Sequence, residues 1–279
     1  MIGATAILRV VAILAGTYAM EVFGSIVVWS IDSVYQRETT PLSEPKKVID
    51  DVFENIVSVT SAYKRLGIVG FEKGKSANDQ LGFFVVDYES RQWRKIFERQ
   101  GLQRVALNAD GSKVAFLVCN ADACELRVRQ LFDAGREEVI ATSLTRASQI
   151  SWSPHGQQLA IANGVGWIDV IDLTTRSHHS LVKGENPSWS ADGKRLAYVN
   201  EKAIWIYDFN QKKSSKVYQR HFWQSNIVGM ISWGPTDVIA FDVAAGIDGY
   251  QIDCLLLNTE SWRVTVLQRG YLWCGPWLN

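Results

Sequence analysis

The stretch that decides the fold is Ile150-Ser151-Trp152-Ser153-Pro154-His155-Gly156-Gln157-Gln158-Leu159-Ala160-Ile161. Residues 187–198 (Pro-Ser-Trp-Ser-Ala-Asp-Gly-Lys-Arg-Leu-Ala-Tyr) and residues 105–116 (Val-Ala-Leu-Asn-Ala-Asp-Gly-Ser-Lys-Val-Ala-Phe) repeat its pattern. In each copy an apolar residue, here called the anchor, lies seven positions before a run of apolar, Ala, apolar. Self-similarity at a roughly fixed period indicates repeated structural units.

Weaker copies extend the series in both directions. Val59 keeps the spacing of seven before Leu66, and Trp233 lies six positions before Ile239. With the anchors at 107, 152 and 189 the gaps run from 37 to 48 residues, and a further 44 reaches Trp277. The repeat therefore covers most of the chain after residue 46.

Each unit has the chemistry of two hairpins. The anchor is followed by a turn with Gly or Asp, residues that tolerate unusual backbone angles, and then by a short apolar strand. A second hairpin follows, with Asp or Asn where the chain turns: Asp87, Asp172, Asp208 and Asn258. Four strands in about 40 residues are typical of a propeller blade. The sequence predicts an all-β protein, a β-propeller of four-stranded antiparallel blades, and a helical solenoid is excluded because no 3.6-residue rhythm occurs after the N-terminal segment.

The Trp-Ser-Pro-His-Gly and Trp-Ser-Ala-Asp-Gly motifs, each followed by Leu-Ala, resemble the WD-like repeat of TolB-type β-propellers. The resemblance covers residues 46–279 and implies an exported protein that makes protein–protein contacts, although some relatives are the gating domains of peptidases. We expect neither a counterpart of the N-terminal α/β domain of TolB nor a hydrolase domain after the repeats.

Closure of the ring leaves two alternatives. Five units are recognisable, residues 270–278 resemble a first strand, and residues 46–50 resemble a last strand. Pairing of the two ends would make a sixth, degenerate closing blade without middle strands and would hide the open sheet edges. The alternative, which we favour, is a five-bladed ring with the tail packed outside.

The N-terminus predicts export. Residues 10–31 contain one charged side chain, Glu21, and are long enough to span a bilayer as a helix. Arg9 before them favours the N-terminus inside. We interpret residues 1–32 as a hydrophobic helix that is a transmembrane signal-anchor or a cleaved signal sequence, 33–45 as a polar linker and 46–279 as the propeller. The propeller would face the periplasm, anchored to the inner membrane or secreted after cleavage at residues 17–19. A buried helix in a cytosolic protein is the third reading.

Composition excludes some partners and cofactors. The chain has 29 Lys+Arg and 29 Asp+Glu, so it lacks the net positive charge on which non-specific nucleic-acid binding depends. Lys73-Gly74-Lys75-Ser76 lacks the glycine spacing of a phosphate-binding loop. No nucleophile elbow and no pair of metal-ligand motifs occurs in the sequence. We predict no catalytic residues, no metal and no cofactor.

A candidate binding face follows from loop lengths. The distance from anchor to Asp/Asn turn varies between units, and insertions on one face mark the binding side of a repeat protein. On that face we predict exposed Phe222, Trp223 and Tyr250, with Asp248 in the same loop as Tyr250. Such aromatic side chains suit a protein hot spot or stacking on a sugar. The alternative is that they fold back on neighbouring blades, as we expect for the anchors Trp152 and Trp189.

The four cysteines suggest disulfides. Cys119 and Cys124 lie on either side of a hairpin mouth, where facing strand positions come within bonding range, and export makes oxidation plausible. Cys254 and Cys274 either form a second bond between the last full blade and the tail or are buried or free thiols.

Three functions remain open. The first is a membrane-anchored propeller that binds protein partners in the cell envelope and acts as a scaffold. The second is a carbohydrate- or peptidoglycan-binding propeller that uses exposed aromatic side chains. The third is an enzyme with acidic groups in the central channel, which requires two titratable side chains converging there.

Overall fold

A computed structural model describes residues 25–29, 34–38, 46–48, 52–62, 65–74, 80–87, 89–120, 123–132, 136–144, 149–219, 227–234, 237–245, 251–270 and 273–278. In these ranges the chain forms 24 β-strands and no helix. The predicted all-β class is confirmed.

The strands, in chain order, are β1 (Ser25–Trp29), β2 (Val34–Glu38), β3 (Lys46–Lys47), β4 (Phe53–Ala62), β5 (Arg65–Glu72), β6 (Leu81–Asp87), β7 (Trp93–Arg99), β8 (Leu102–Leu107), β9 (Lys113–Cys119), β10 (Cys124–Gln130), β11 (Glu137–Leu144), β12 (Ile150–Trp152), β13 (Gln158–Ala162), β14 (Trp167–Asp172), β15 (His178–Lys183), β16 (Glu185–Trp189), β17 (Arg195–Asn200), β18 (Ala203–Asp208), β19 (Lys213–Gln219), β20 (Ile227–Trp233), β21 (Val238–Ala245), β22 (Gln251–Asn258), β23 (Val264–Gly270) and β24 (Trp273–Leu278).

Five blades are each built from one continuous stretch of chain. Blade 1 is β4–β7, blade 2 is β8–β11, blade 3 is β12–β15, blade 4 is β16–β19 and blade 5 is β20–β23, all antiparallel. The first strand of each blade lies against the first strand of the next. Five four-stranded blades arranged in this order confirm the predicted propeller.

The two ends of the chain form a sixth four-stranded sheet, here called the closing sheet, in the order β24-β1-β2-β3. Its strand β24 contacts β20 of blade 5 and β4 of blade 1, and it thereby completes a ring of inner strands: β4, β8, β12, β16, β20 and β24. The interpretation that the tail packs outside the ring is wrong. The middle strands that the sequence analysis could not find are β1 and β2.

The predicted N-terminal helix is wrong where the structure describes it. Ser25–Trp29 is a strand that pairs with β2 and β24, and Val34–Glu38, assigned to the linker, is the next strand. The physical reason is that Ile, Val and Trp favour strands, and a short apolar run has the same hydropathy in a sheet as in a helix. Residues 1–24, on which most of the anchor or signal prediction falls, lie outside the described residues. In the described part of the chain no helix is long and apolar enough to cross a bilayer.

One register recurs in the inner hairpins. Trp152 pairs with Leu159, Trp189 with Leu196, and Trp277 with Ile26 of β1. Leu107 and Trp233 take the same position in blades 2 and 5. In blade 1 the residue at this position is Ser61, which pairs with Leu66, so Val59 as the anchor was wrong by two residues. The first hairpin of blade 1 is short and lacks the glycine turn. Counting seven positions back from Leu66 therefore leads to Val59 in place of Ser61.

The turns are closed by the residues that the repeat predicts. Gly111, Gly156 and Gly193 have φ of 67°, 67° and 69°, the left-handed region that glycine adopts without strain. In the second hairpins a side-chain oxygen accepts backbone N–H groups two and three residues ahead, at Asp87, Asp172, Asp208 and Asn258. These N–H hydrogen bonds, led by the one from Ser90, hold the pKa of Asp87 below its ordinary value.

The hydrophobic core lies between neighbouring blades. Ile204 of blade 4 packs in one cluster with Ile231 and Phe241 of blade 5, and Phe83 of blade 1 with Val114 and Phe116 of blade 2. In blades 1 to 4 the second strand is buried on both faces, which explains its continuous apolar run. The packed ring holds the inner strands at fixed positions around the central axis.

Candidate binding site in the central channel

The inner strands enclose a cavity of about 210 Å³ at the centre of the ring. Residues of all six inner strands line it, from Ser58 of β4 round to Trp277 of β24. A ring-shaped arrangement of this kind brings one short segment of every sheet to a common site. In the described part of the chain several sheets converge on this cavity. Ligands usually bind in concave sites of this kind.

Hydrogen bonds join neighbouring inner strands and keep the channel rigid. The hydroxyl oxygens of Thr60, Ser151 and Ser188 accept the backbone N–H of the next anchor, at 3.1, 3.1 and 2.9 Å. Two anchor side chains donate as well: Trp152 Nε1 to the Ala106 carbonyl at 2.9 Å, and Trp277 Nε1 to the Ser232 carbonyl at 3.1 Å. The Ser61 hydroxyl donates to the Trp277 carbonyl and closes the circle.

The tryptophan anchors are structural. Trp152, Trp189 and Trp233 are buried, as is Trp277. These four side chains pack between neighbouring blades, as the sequence analysis expects of the anchors, and they form the wall of the channel. Trp167 of β14 is not an anchor and is 38% exposed on blade 3, with the Lys183 ammonium 5.6 Å from its ring centre.

The residue three positions before each anchor supplies the chemistry of the channel. In ring order these residues are Ser58, Arg104, Gln149, Asn186, Met230 and Cys274. In the inner hairpins of blades 1, 2, 4 and 5 and in the closing sheet, the register shifts at or next to this position. A bulge re-aims a side chain that regular pairing would direct elsewhere. Ser58, Arg104, Gln149 and Met230 line the cavity.

Arg104 is the only charged residue among the described residues that line the channel. Its Nη1 donates to the Val57 carbonyl of β4 at 3.2 Å, and no carboxylate pairs with it in the described part of the chain. Burial lowers the pKa of Arg104 below its ordinary value, because a charged guanidinium loses hydration there. An arginine nevertheless stays protonated in proteins, so the channel holds a partly desolvated positive charge.

Four buried polar atoms of residues that line the channel have no hydrogen-bond partner in the described part of the chain. Gln149 reaches across the channel, with Nε2 donating to the Ile231 carbonyl of blade 5 at 3.0 Å, while its Oε1 has no hydrogen bond among the described residues. Ser58 Oγ, Trp189 Nε1 and Trp233 Nε1 are also buried without a hydrogen bond to any residue that the structure describes. Buried polar groups are usually hydrogen-bonded, and unsatisfied ones clustered in a cavity favour a ligand-binding role.

The predicted face residues Phe222, Trp223, Asp248 and Tyr250 lie outside the described residues, so their role stays a prediction. Cys119 and Cys124 form a disulfide between directly paired positions of β9 and β10, with their Cα atoms 3.9 Å apart. Cys254 and Cys274 form a second disulfide between blade 5 and β24. None of the four cysteines is free.

Sequence reasoning missed Arg104. The signal was present, because aligning the repeats by their anchors gives one charged residue in a column that is otherwise neutral. The wrong anchor in blade 1 put Ile56 where Ser58 belongs, but it left Arg104 as the one charged residue of the column. The sequence also does not show which strand of each sheet faces the central axis, because this depends on how the blades are assembled into the ring.

The fold and the channel define the class: a β-propeller with a polar, predominantly uncharged channel that carries one half-buried arginine. No protein-family model matches the chain, and no curated protein sequence matches it. Solved structures do. TolB from Acinetobacter baumannii superimposes with a TM-score of 0.76 at 17% identity over 91% of this chain, which spans 66% of the length of that TolB chain.

Two further matches show how widely the fold occurs. A chain described as TolB from Agrobacterium tumefaciens gives a TM-score of 0.66 at 12% identity, covering 91% of both chains. Puromycin hydrolase gives 0.57 at 13% identity, covering 88% of this chain and 45% of the hydrolase. The chain has the β-propeller fold of TolB. Likeness at such low identity establishes the fold and leaves the activity to be argued from the site.

Proposed function

We propose that this protein is an exported β-propeller that binds a protein partner, and that the partner places an acidic group in the channel beside Arg104. Protein interaction in general is the role that a TolB-like propeller favours. The observation that carries the proposal is the half-buried guanidinium, whose one described hydrogen bond goes to a backbone carbonyl. A carboxylate offers it the paired, charge-assisted hydrogen bonds that this geometry leaves unmade.

The chemistry of the channel favours binding over proton transfer. A guanidinium stays protonated at every pH at which the protein folds, so Arg104 is suited to hold an anion and unsuited to act as an acid or base. The surrounding hydroxyls already accept hydrogen bonds between blades. A rigid ring with one fixed charge selects a ligand by shape and by the position of its negative group.

Export rests on two observations. Both disulfides are of a kind that persists in oxidising compartments. Because Ser25–Trp29 is part of the closing sheet, the apolar segment available to a membrane shrinks to residues 10–24. As a helix these fifteen residues would reach about 22 Å, short of the roughly 30 Å hydrocarbon core. We therefore propose a cleaved signal sequence and a periplasmic or secreted protein, in place of an inner-membrane anchor.

The test uses peptides as probes of the channel. A library of short peptides that differ only in Asp and Glu content is titrated against the exported protein, and binding is followed by fluorescence anisotropy. Acidic peptides should bind, and Arg104→Gln should weaken binding at least about tenfold, the effect of losing a charged hydrogen-bonded pair. Arg104→Lys should restore part of the affinity.

The matched control is Arg263→Gln, which removes an exposed arginine from a turn of blade 5 and leaves net charge equal to that of Arg104→Gln. Equal affinity of the two variants would refute a role for the channel. Binding of neutral peptides as strongly as acidic ones would refute the anionic partner. The carbohydrate-binding function stays an alternative, and binding on a glycan array that Trp223→Ala abolishes would favour it.

A further inference from the structure

A second buried cluster lies where the closing sheet meets blade 5. Asp242 of β21 is paired directly with Cys254 of β22, and Cys274 of β24 is joined to Cys254 by the disulfide. The carboxylate oxygen and the two sulfur atoms all lie within 4.8 Å of one another. All three side chains are buried. The cluster thus links three strands from two sheets at the seam of the ring.

Asp242 is poorly satisfied at this position. It is 0% exposed, one oxygen, Oδ1, accepts the Cys274 N–H at 2.8 Å, and Oδ2 has no hydrogen-bond partner in the described part of the chain. Burial raises the pKa of the Asp242 carboxyl well above its ordinary value, and the hydrogen bond from Cys274 offsets only part of this effect. A packed core gains nothing from such a group, because an apolar residue of similar size avoids the desolvation.

The structure assigns a purpose to this carboxyl: we propose that Asp242, Cys254 and Cys274 bind one Zn²⁺ ion when the disulfide between the two cysteines is reduced. Two thiolates and a carboxylate are ligands that zinc accepts. With Zn–S near 2.3 Å and Zn–O near 2.1 Å, tetrahedral binding places the sulfurs about 3.8 Å apart and each sulfur about 3.6 Å from the carboxylate oxygen. The three ligand atoms lie within 4.8 Å of one another, and reduction of the disulfide frees the two sulfurs to move apart toward these separations.

A fourth donor lies close by. The Phe241 carbonyl oxygen is 3.6 Å from Cys274 Sγ, the separation expected of two ligands on one tetrahedral ion. Zinc would hold β24 against blade 5 as the disulfide does, so that either a covalent or a coordinate link can close the ring. Because the three residues come from separate strands, the site exists only when β24 is docked, and metal binding is coupled to closure.

The redox step is balanced by a named reductant. A phosphine reduces the Cys254–Cys274 bond by a two-electron transfer: it takes up the oxygen of one water molecule and becomes a phosphine oxide, and the two sulfurs become thiols. Zinc binding then displaces the thiol protons and the carboxyl proton to solvent. The oxidised protein has no thiolates to offer and should not bind.

The experiment compares oxidised protein with protein reduced by a phosphine. Zinc is titrated in competition with a chromophoric chelator, and circular dichroism follows the β-sheet signal and the melting temperature. Reduced wild type should bind one Zn²⁺ per chain and melt at a higher temperature with zinc than without. The variant Asp242→Asn should bind at least about tenfold more weakly, and Cys254→Ser with Cys274→Ser should abolish the site.

The chain contains its own control. Cys119→Ser with Cys124→Ser removes the other thiol pair, which has no buried carboxyl among the described residues of its hairpin, and should leave zinc binding unchanged. If the reduced, metal-free chain unfolds, zinc should restore its β-sheet signal. The proposal is overturned if reduced wild type binds no zinc, if zinc fails to restore an unfolded reduced chain, if Asp242→Asn binds as tightly as wild type, or if binding depends on Cys119 and Cys124 instead.

Discussion

Removal of the Trp277 side chain should weaken the whole ring, because this residue is the anchor of the closing sheet. Trp277 is 4% exposed, and its indole Nε1 donates to the Ser232 carbonyl of blade 5. Burial of roughly 150 Å² of apolar ring surface is worth about 4 kcal/mol, and the hydrogen bond adds about 1 kcal/mol. Trp277→Ala should therefore lower the free energy of unfolding by about 4–5 kcal/mol, in line with other buried Trp→Ala changes.

The assay is equilibrium urea unfolding, followed by circular dichroism, with Trp262→Ala as the matched control. Trp262 is also a tryptophan near the C-terminus, but it is 54% exposed on blade 5. Its replacement should change the free energy of unfolding by about 0.5 kcal/mol or less. If the two variants lose similar stability, Trp277 is not packed in the ring and the reasoning about closure is wrong.

Two other substitutions test separate contacts. In Gly234→Ala, a Cβ would lie 2.5 Å from Cε2 of Trp277. The change should therefore lower the free energy of unfolding by about 1–3 kcal/mol in wild type and by much less in Trp277→Ala. A double-mutant cycle by urea unfolding measures the difference, and equal losses in both backgrounds would contradict the contact. Glu137 of blade 2 accepts hydrogen bonds from Arg99 of blade 1, at 2.7 and 3.0 Å, and from Arg127, at 2.5 Å. Burial opposes the effect, but these arginines hold the pKa of Glu137 below its ordinary value. A carboxyl with a lowered pKa stabilises the folded state above its unfolded pKa of about 4.5, and this stabilisation is lost as the pH falls through the folded pKa. Glu137→Gln should thus lower the free energy of unfolding by about 1 kcal/mol at pH 7 and by almost nothing near pH 2, as measured by thermal melts. A loss of stability that does not depend on pH would show that the ion pairs are not its cause.

The fold could be predicted because its rules are local. A turn glycine at 111, 156 or 193 and an Asp or Asn at the second turn each act within a few residues, and they recur at the period of a blade. The number of strands per blade follows from counting them. Five blades could be read from the sequence for this reason, and the structure contains them.

The closing sheet could not be predicted in the same way. The strand Ser25–Trp29 pairs with residues almost 250 positions later, and no local signal distinguishes such an apolar run from a membrane helix or a signal sequence. The repeat pattern is also absent there, because β24 and β1 are paired but are not consecutive in the chain, so no glycine turn joins them. Length and hydropathy consequently favoured the helix.

The candidate site shows a similar limit. Arg104 and Gln149 are ordinary polar residues in the sequence, and they acquire a function only when the ring brings β4, β8, β12 and β20 around one cavity. Asp242 is one of 29 acidic residues, and only the assembled seam makes it a buried neighbour of two cysteines. The predicted aromatic face, with Trp223 and Tyr250, stays a prediction.

The ring closes because β1 pairs with β24, and solution NMR can detect this pairing in the folded protein. Nuclear Overhauser effects across β1 and β24 should connect Ile26 with Trp277 and Val28 with Cys274, the pairs that the sheet brings together. Their observation in the purified protein would establish the closing sheet. Their absence, together with the sequential contacts of a helix through residues 25–31, would contradict the ring as described.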